Sequence, residues 1–343
     1  MKAAANQPNA TVVKLPLIVL APLRLYFQLA GRIAPQAAVG AFRWLLSHMP
    51  RRRLSAREQA FLDGTERLAF DCGDAVLAGR IAPQAAVRAF RWLLSHMPRR
   101  RLSAREQAFL DGTERLAFDC GDAVLAGYSI GAGPVVLLAH GLQGSAANFR
   151  ALAPALALAG YRAVMFDAVN HGNSPPGTAF SGRSVQHLRC VIKKLGPLHA
   201  IVCHSAGAYL TMLALCEPAA SVEKCVYLAP YPDIATTLRT FADYLWVPRT
   251  MEPRLRRWFE DIGGMPFEQQ SMRHCLPRHG TTRNPPCLFV HDTDDRHIPL
   301  DCTYATLRHL PHARLHVTSG LGHFHILKEP GVIAHIVEFL QRP

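Results

Sequence analysis

The sequence predicts an α/β protein: a mostly parallel, doubly wound sheet with a helical lid inserted over the strand ends. Three observations predict it. From Gly133 onward, short apolar runs alternate with stretches of helix length, the pattern of a parallel sheet covered on both faces. One alternation, Leu198 to Leu210, reads as strand, sharp turn and helix, with Ser205 at the turn. One interval, about 233–285, is too long for a simple crossover and carries Phe241, Tyr244, Leu245, Trp246, Trp258 and Phe259, which places the lid there.

Composition bounds the alternatives. The 343 residues can bury a large core, and 49% hydrophobic with 18% charged residues excludes a disordered chain. The net charge of +13 is unevenly placed: no Asp or Glu precedes Glu58, whereas Lys2, Lys14, Arg24, Arg32, Arg43 and Arg51 to Arg53 do. The basic, apolar segment 1–31 is therefore suited to peripheral contact with an anionic membrane surface. No nucleic-acid-binding motif accompanies it, so nucleic acid is not an expected partner. Leu15 to Ala30 is broken by Pro16, Pro22 and Arg24 and falls short of the ~20 apolar residues of a spanning helix. A small-x-small cleavage site is missing after it. The nine cysteines are odd in number and contain no C-x-x-C pair, and Cys203, Cys225 and Cys287 sit in apolar strands as small hydrophobes. This favours a reducing compartment over a disulfide framework, hence a cytoplasmic, membrane-associated protein.

In chain order, the first feature is a duplication. Arg32–Gly79 recurs as Arg80–Gly127, and only Gly40 against Arg88 differs. Two near-identical copies are too few and too alike for a solenoid. In each copy Pro83-Gln84, or its equivalent, opens an amphipathic helix that ends before Pro98; Ser103 and Glu106 form a capping-box pattern for a second helix. Arg115–Phe118 and Ala123–Ile130 then read as strands. Only in the second copy, 80–127, does the latter strand continue through Tyr128-Ser129-Ile130, so the first copy, 32–79, is the surplus one. Its unused strand sequence favours self-association.

The catalytic domain spans 115–343. Strands are expected at Pro134–Ala139, Arg162–Phe166, Ala200–Cys203, Lys224–Leu228, Pro286–Val290 and Ala313–Val317. Helices are expected at Ala146–Ala159, Arg183–Leu195, Ala206–Cys216, Leu300–Leu310 and Gly331–Gln341.

Four stretches carry chemistry. At the tip of a tight turn Ser205 needs small neighbours; Gly207 supplies one, and Cys203 stands on the other side. His140-Gly141-Leu142-Gln143-Gly144 follows a strand, and its Leu142 N–H is the first candidate oxyanion donor; the Ala206 N–H, at a helix start, is the second. His140 itself fixes the loop. After the strand ending at Val290 come Asp292, Asp294 and Asp295. Asp295, followed by Ile298-Pro299, is the choice to orient an imidazole, the other two being turn-formers. His323, in a Gly-flanked loop before the closing helix, is the candidate base, with His325 as its rival. The H-x-H pair lacks a third ligand, so no metal and no cofactor are expected.

These stretches resemble the α/β-hydrolase superfamily, in particular its serine esterases and lipases: HGxxG at 140–144, an elbow at 203–207, a late acid and G-H at 322–323, in the order Ser, Asp, His. Asp167 to Ser174 is similar to that family's D-x-x-G-H-G-x-S turn, with Asn170 in place of Gly. The resemblance implies a serine hydrolase that cleaves small-molecule carboxylic esters with an apolar portion through a Ser205–His323–Asp295 triad and an acyl-enzyme. It leaves open a thioesterase or other acyl hydrolase, and a non-catalytic membrane-docking or scaffold protein that retains the fold.

Overall fold

The computed structural model describes residues 99–177, 182–216, 222–231, 234–235, 238, 252–275, 285–310 and 313–342. The chain divides into two compact units. One holds 1–14, 93–241 and 255–343, and the other holds 15–92 and 242–254. The basic segment 1–31, the first repeat copy 32–79 and the helix expected from Pro83 lie outside the described residues.

The first described helix, α1 (Ala104–Asp111), begins where the capping box predicts: the Ser103 side chain accepts from the Glu106 N–H and the Glu106 carboxylate accepts from the Ser103 N–H. The same carboxylate takes both arms of Arg100 at 2.8 and 2.9 Å, and this pairing pulls its pKa down to about 2. Strands β1 (Glu114–Asp119) and β2 (Val124–Ile130) form an antiparallel hairpin. Next come β3 (Val135–Ala139), a 3₁₀ turn (Ala146–Phe149), α2 (Leu152–Leu158) and β4 (Arg162–Phe166). The single helix expected over Ala146–Ala159 is thus split. Pro154 explains this, because in a continuous helix its ring would collide with the Arg150 carbonyl.

The remaining elements are α3 (Gly182–Leu195), β5 (Leu198–His204), α4 (Ala206–Leu215), β6 (Val222–Leu228), α5 (Glu252–Gly263), α6 (Met272–Cys275), β7 (Cys287–Asp292), α7 (Leu300–Leu307), β8 (Arg314–Thr318), the short α8 (Gly322–His325) and α9 (Pro330–Gln341). Of the interval read as a lid, the described residues form α5, a 3₁₀ turn at Phe267–Gln269 and α6. This interval is tied to α4 through Gln270, which accepts from the Tyr209 hydroxyl and donates to the Phe259 and Met265 carbonyls.

The eight strands order as β1-β2-β4-β3-β5-β6-β7-β8. The β1–β2 and β2–β4 pairs are antiparallel and all others parallel. Alternate residues Val136, Leu138, Val202, Val226, Leu288 and Val290 join one core with residues of α2 and α9. Their neighbours Leu137, Ile201, Tyr227 and Phe289 are equally buried and point to the opposite face, where α3 and α4 pack. Burial on both faces is why these strands read as continuous apolar runs.

The sequence singles out no cysteine pair, but the structure has one: Cys120, just after β1, forms a disulfide with Cys190 on α3, Cα to Cα 5.9 Å. The two are 70 residues apart, and only the packing of α3 beside β1 brings them together. Cys203, Cys225 and Cys287 are buried thiols outside any disulfide, as small core hydrophobes would be. No described helix is long and apolar enough to cross a membrane.

Candidate active site

The site lies at the carboxyl ends of the parallel strands, where the chain reverses from β5 into α4. Ser205 holds φ +53°, ψ −123°, a conformation that L residues avoid, and its N–H is fixed by the Leu228 carbonyl at 3.0 Å. Gly207 is required by close approach: a Cβ there would stand 2.5 Å from the His140 carbonyl oxygen and 2.6 Å from that of Ala139. Cys203, the small residue on the other side, fits within β5 fully buried.

From this corner a hydrogen-bond chain runs inward. Ser205 Oγ lies 2.9 Å from His323 Nε2, and His323 Nδ1 lies 2.7 Å from Asp295 Oδ2. All three residues are buried. Burial by itself would raise the Asp295 pKa, but hydrogen bonds from His291, His323 and the Ile298 N–H outweigh it and hold the group well below the usual carboxylate range. Asp295 is therefore a carboxylate facing an imidazole that faces a hydroxyl.

The three acids that compete in the sequence divide the work of holding His323. Asp295 Oδ1 accepts from the His297 and Ile298 N–H groups, which fixes its carboxylate plane. Asp292 accepts from the Gly322 and Leu321 N–H groups at 2.8 and 3.1 Å and from the Thr318 hydroxyl at 2.7 Å. Asp294 accepts from the Gly320 N–H at 2.7 Å. The stretch that leads into His323 is thus held by two carboxylates through the N–H groups of Gly320, Leu321 and Gly322. His325 is exposed and has no place in this chain.

The Gly-rich loop at 140–144 is equally determined. His140 Nδ1–H donates to the Gly141 carbonyl and its Nε2 accepts from the Ala168 N–H; His171 Nδ1–H donates to the Val169 carbonyl and its Nε2 accepts from the Gln143 N–H. Burial lowers both imidazole pKa values to about 4, so both rings stay neutral and can accept these bonds. Gly144 N–H closes the turn on the Gly141 carbonyl. Gly141 itself abuts the site: a Cβ on it would lie 2.9 Å from that of Ser205. Among the described residues nothing accepts from the N–H of Leu142 or of Ala206. Leu142 follows Gly141, which abuts Ser205, and Ala206 follows Ser205 at the start of α4.

The Asp167–Ser174 turn supports that loop. Asp167, fully buried, accepts from the Ala146 and Asn173 N–H groups at 2.7 and 2.8 Å. Asn170 takes φ +64°, which explains why glycine is the usual occupant there.

Sequence reasoning missed three residues. His291, buried under the acid, lies 3.4 Å from Asp295 Oδ2. His297 stacks on His323, ring centroids 4.7 Å apart. His204 donates from Nε2 to the His323 carbonyl at 2.9 Å. No spacing marks any of them, since each acts through a fold-made contact. Asp295, His297 and His323 are the described group with potential metal-binding atoms, all within 4.8 Å of one another. The Asp295 oxygens are already committed to His323 and to two N–H groups, so a cation would have to break the chain.

The sequence matches the family model described as "Alpha/beta hydrolase family" over residues 135–336. The mouse (Mus musculus) protein named sn-1-specific diacylglycerol lipase ABHD11 is 35% identical over 108 residues, which is 30% of this chain and 34% of that protein. The match therefore spans about a third of that relative's length. Among solved structures, a Pyrococcus furiosus esterase superposes with a TM-score of 0.53 at 18% identity, covering 71% of this chain and 96% of that one. A Bacillus anthracis bromoperoxidase gives 0.51 at 17% identity, covering 66% and 99%. At these identities the likeness shows the fold alone.

Proposed function

Because the chain belongs to the alpha/beta hydrolase family, a family of hydrolases, we propose that it is a serine hydrolase that cleaves carboxylic esters with an apolar portion. The observation that carries this reading is the unbroken hydrogen-bond chain from Asp295 through His323 to Ser205. In the reaction His323 Nε2 removes the Ser205 proton as Oγ attacks the ester carbonyl. The Leu142 and Ala206 N–H groups receive the developing oxyanion, each contributing about 10²–10³ in rate. His323 then gives its proton to the departing alcohol oxygen. Water, deprotonated by the same nitrogen, releases the acid and restores Ser205. Asp295 keeps Nδ1 protonated and stabilises the imidazolium throughout.

Support for an apolar substrate portion comes from the aromatic residues of the 233–285 interval and from the lipase name of the mouse relative, which makes long-chain acylglycerols the class to test beside simple esters. The test is hydrolysis of p-nitrophenyl esters from acetate to palmitate, and of a diacylglycerol, by wild type and Ser205→Ala, with fluorophosphonate labelling in parallel. Turnover and labelling should both fall by at least about 10³-fold in the variant. A Ser205→Ala protein that keeps its turnover rejects the mechanism. A folded wild type that neither labels nor turns over points to the scaffold alternative.

A further inference from the structure

His204 is buried and precedes the candidate nucleophile, yet its imidazole reaches the other arm of the site. Its Nε2 lies 2.9 Å from the main-chain oxygen of His323, so Nε2 carries the proton. Its ring packs against that of His323, centroids 4.8 Å apart, and near that of Phe324 at 6.0 Å. Its Nδ1 is buried without a hydrogen-bond partner and lies 3.1 Å from where a Cβ on Gly141 would stand. One ring thus adjoins three parts that must stay in register: the Ser205 corner, the Gly141–Gly144 loop and the His323 turn.

A hydroxyl or apolar residue would fill this space without holding the His323 carbonyl. A buried acceptor left unpaired is destabilising, so packing alone gives no reason for a second ring nitrogen here. The benefit lies at Nε2. The His323 side chain needs its Nε2 within about 3 Å of Ser205, and a misplacement near 1 Å can cost about 10²-fold in rate. Asp292 holds Leu321 and Gly322 on one side of His323, and His204 holds the carbonyl on the other.

We propose that His204 is a positioning residue for the hydrolytic reaction, whose Nε2–H bond to the His323 carbonyl fixes the base over Ser205; this rests on the serine-hydrolase reading. Burial, reinforced by the nearby His323, pulls the His204 pKa down to about 3 and keeps the ring neutral, so it adds no positive charge beside the imidazolium that forms on His323.

The full chain is compared as wild type, His204→Phe, His204→Gln and His204→Asn on p-nitrophenyl butyrate, with kcat and KM separated and fluorophosphonate labelling rates measured. The Gln amide can reach the His323 carbonyl from the place of Nε2, whereas the Asn amide ends near the place of Nδ1. His204→Phe and His204→Asn should lose about 10–100-fold in kcat with KM within about twofold, and His204→Gln should stay within about fivefold of wild type. If Phe fails to fold, the Gln and Asn pair still decides. Equal losses in Gln and Asn, or wild-type kcat in Asn, overturn the proposal. Wild type that neither turns over nor labels overturns the serine-hydrolase reading, and this proposal with it. Active wild type with an insensitive position 204 overturns this proposal alone.

Discussion

Gly207 shows what a single residue decides here. Sequence reasoning asks for a small residue because Ser205 sits on a tight turn; the structure adds that two carbonyl oxygens occupy the space a methyl group would need. Gly207→Ala must therefore push the start of α4 away from the end of β3, separating Ser205 from the Leu142 loop. The expected outcome is a loss of about 1–3 kcal/mol in stability and a fall of roughly 10²-fold in ester turnover, from displacement of the Ala206 donor. Urea unfolding and p-nitrophenyl ester kinetics check it. An alanine variant with wild-type kcat would mean that the corner tolerates the shift. The residues around Gly207 were readable in the sequence because the strand, turn and helix are contiguous. His204 was not, because its partner is 119 positions away.

At the scale of elements, the loop from β8 to α8 is organised by a carboxylate that does not itself touch Ser205 or His323. Burial pushes the Asp292 pKa up, but the Thr318 hydroxyl and the Gly322, Asp294 and Leu321 N–H groups pull it down further, so it is a carboxylate saturated with donors. Asp292→Ala orphans these donors at once. It should cost about 3 kcal/mol and lower kcat more than KM, because the loop that presents His323 loses its anchor. Differential scanning calorimetry and steady-state kinetics separate the two effects. Loss of stability with unchanged kcat would show that Asp295 alone holds the base. In the sequence Asp292, Asp294 and Asp295 are equivalent acids near a strand end. Their separate partners follow from the path of the backbone after β7.

At the scale of the whole molecule, three buried histidines set the acid response. Burial lowers His140 and His171 to about 4 and His204 to about 3, against about 6.5 for each in the unfolded chain. Below about pH 6.5 the unfolded chain takes up protons that the folded one refuses, so stability falls as the pH drops toward about 4. Each such group contributes up to about 1.4 kcal/mol per pH unit. Glu106, lowered to about 2 mainly by Arg100, adds its loss only below about 4.5, so urea midpoints between pH 6.5 and 5 report mainly the histidines, His297 and His316 adding in the same direction and the raised pKa of buried Asp167 opposing them. A midpoint that stays flat over that range contradicts the assignment.

The duplication is to be tested at the same scale. β2 pairs with β4 through Gly127, Tyr128, Ser129 and Ile130, and three of these lie beyond the repeated segment. The first copy offers Arg80, Ile81 and Ala82 in their place. Deleting 32–79 should leave ester turnover and the Cys120–Cys190 disulfide intact, with solubility at least equal to that of the full chain. A folded deletion product without activity, or without the disulfide by non-reducing mass spectrometry, would show that the first copy contributes.

The sequence by itself determined the alternation of strands and helices, the corner at Ser205, the Gly-rich loop at 140–144 and the late acid and histidine loops. Each of these is a property of a few contiguous residues: apolar periodicity, a turn, a cap. Only the tertiary structure decided that His323 meets Ser205 across 118 residues and that Asp295 rather than its neighbours faces that imidazole. It also decided that Cys120 finds Cys190, that His204 holds the His323 carbonyl and that His171 holds the Gln143 N–H. Those outcomes depend on strand order and on which side chains the sheet brings within hydrogen-bond distance, and neither is encoded in local spacing.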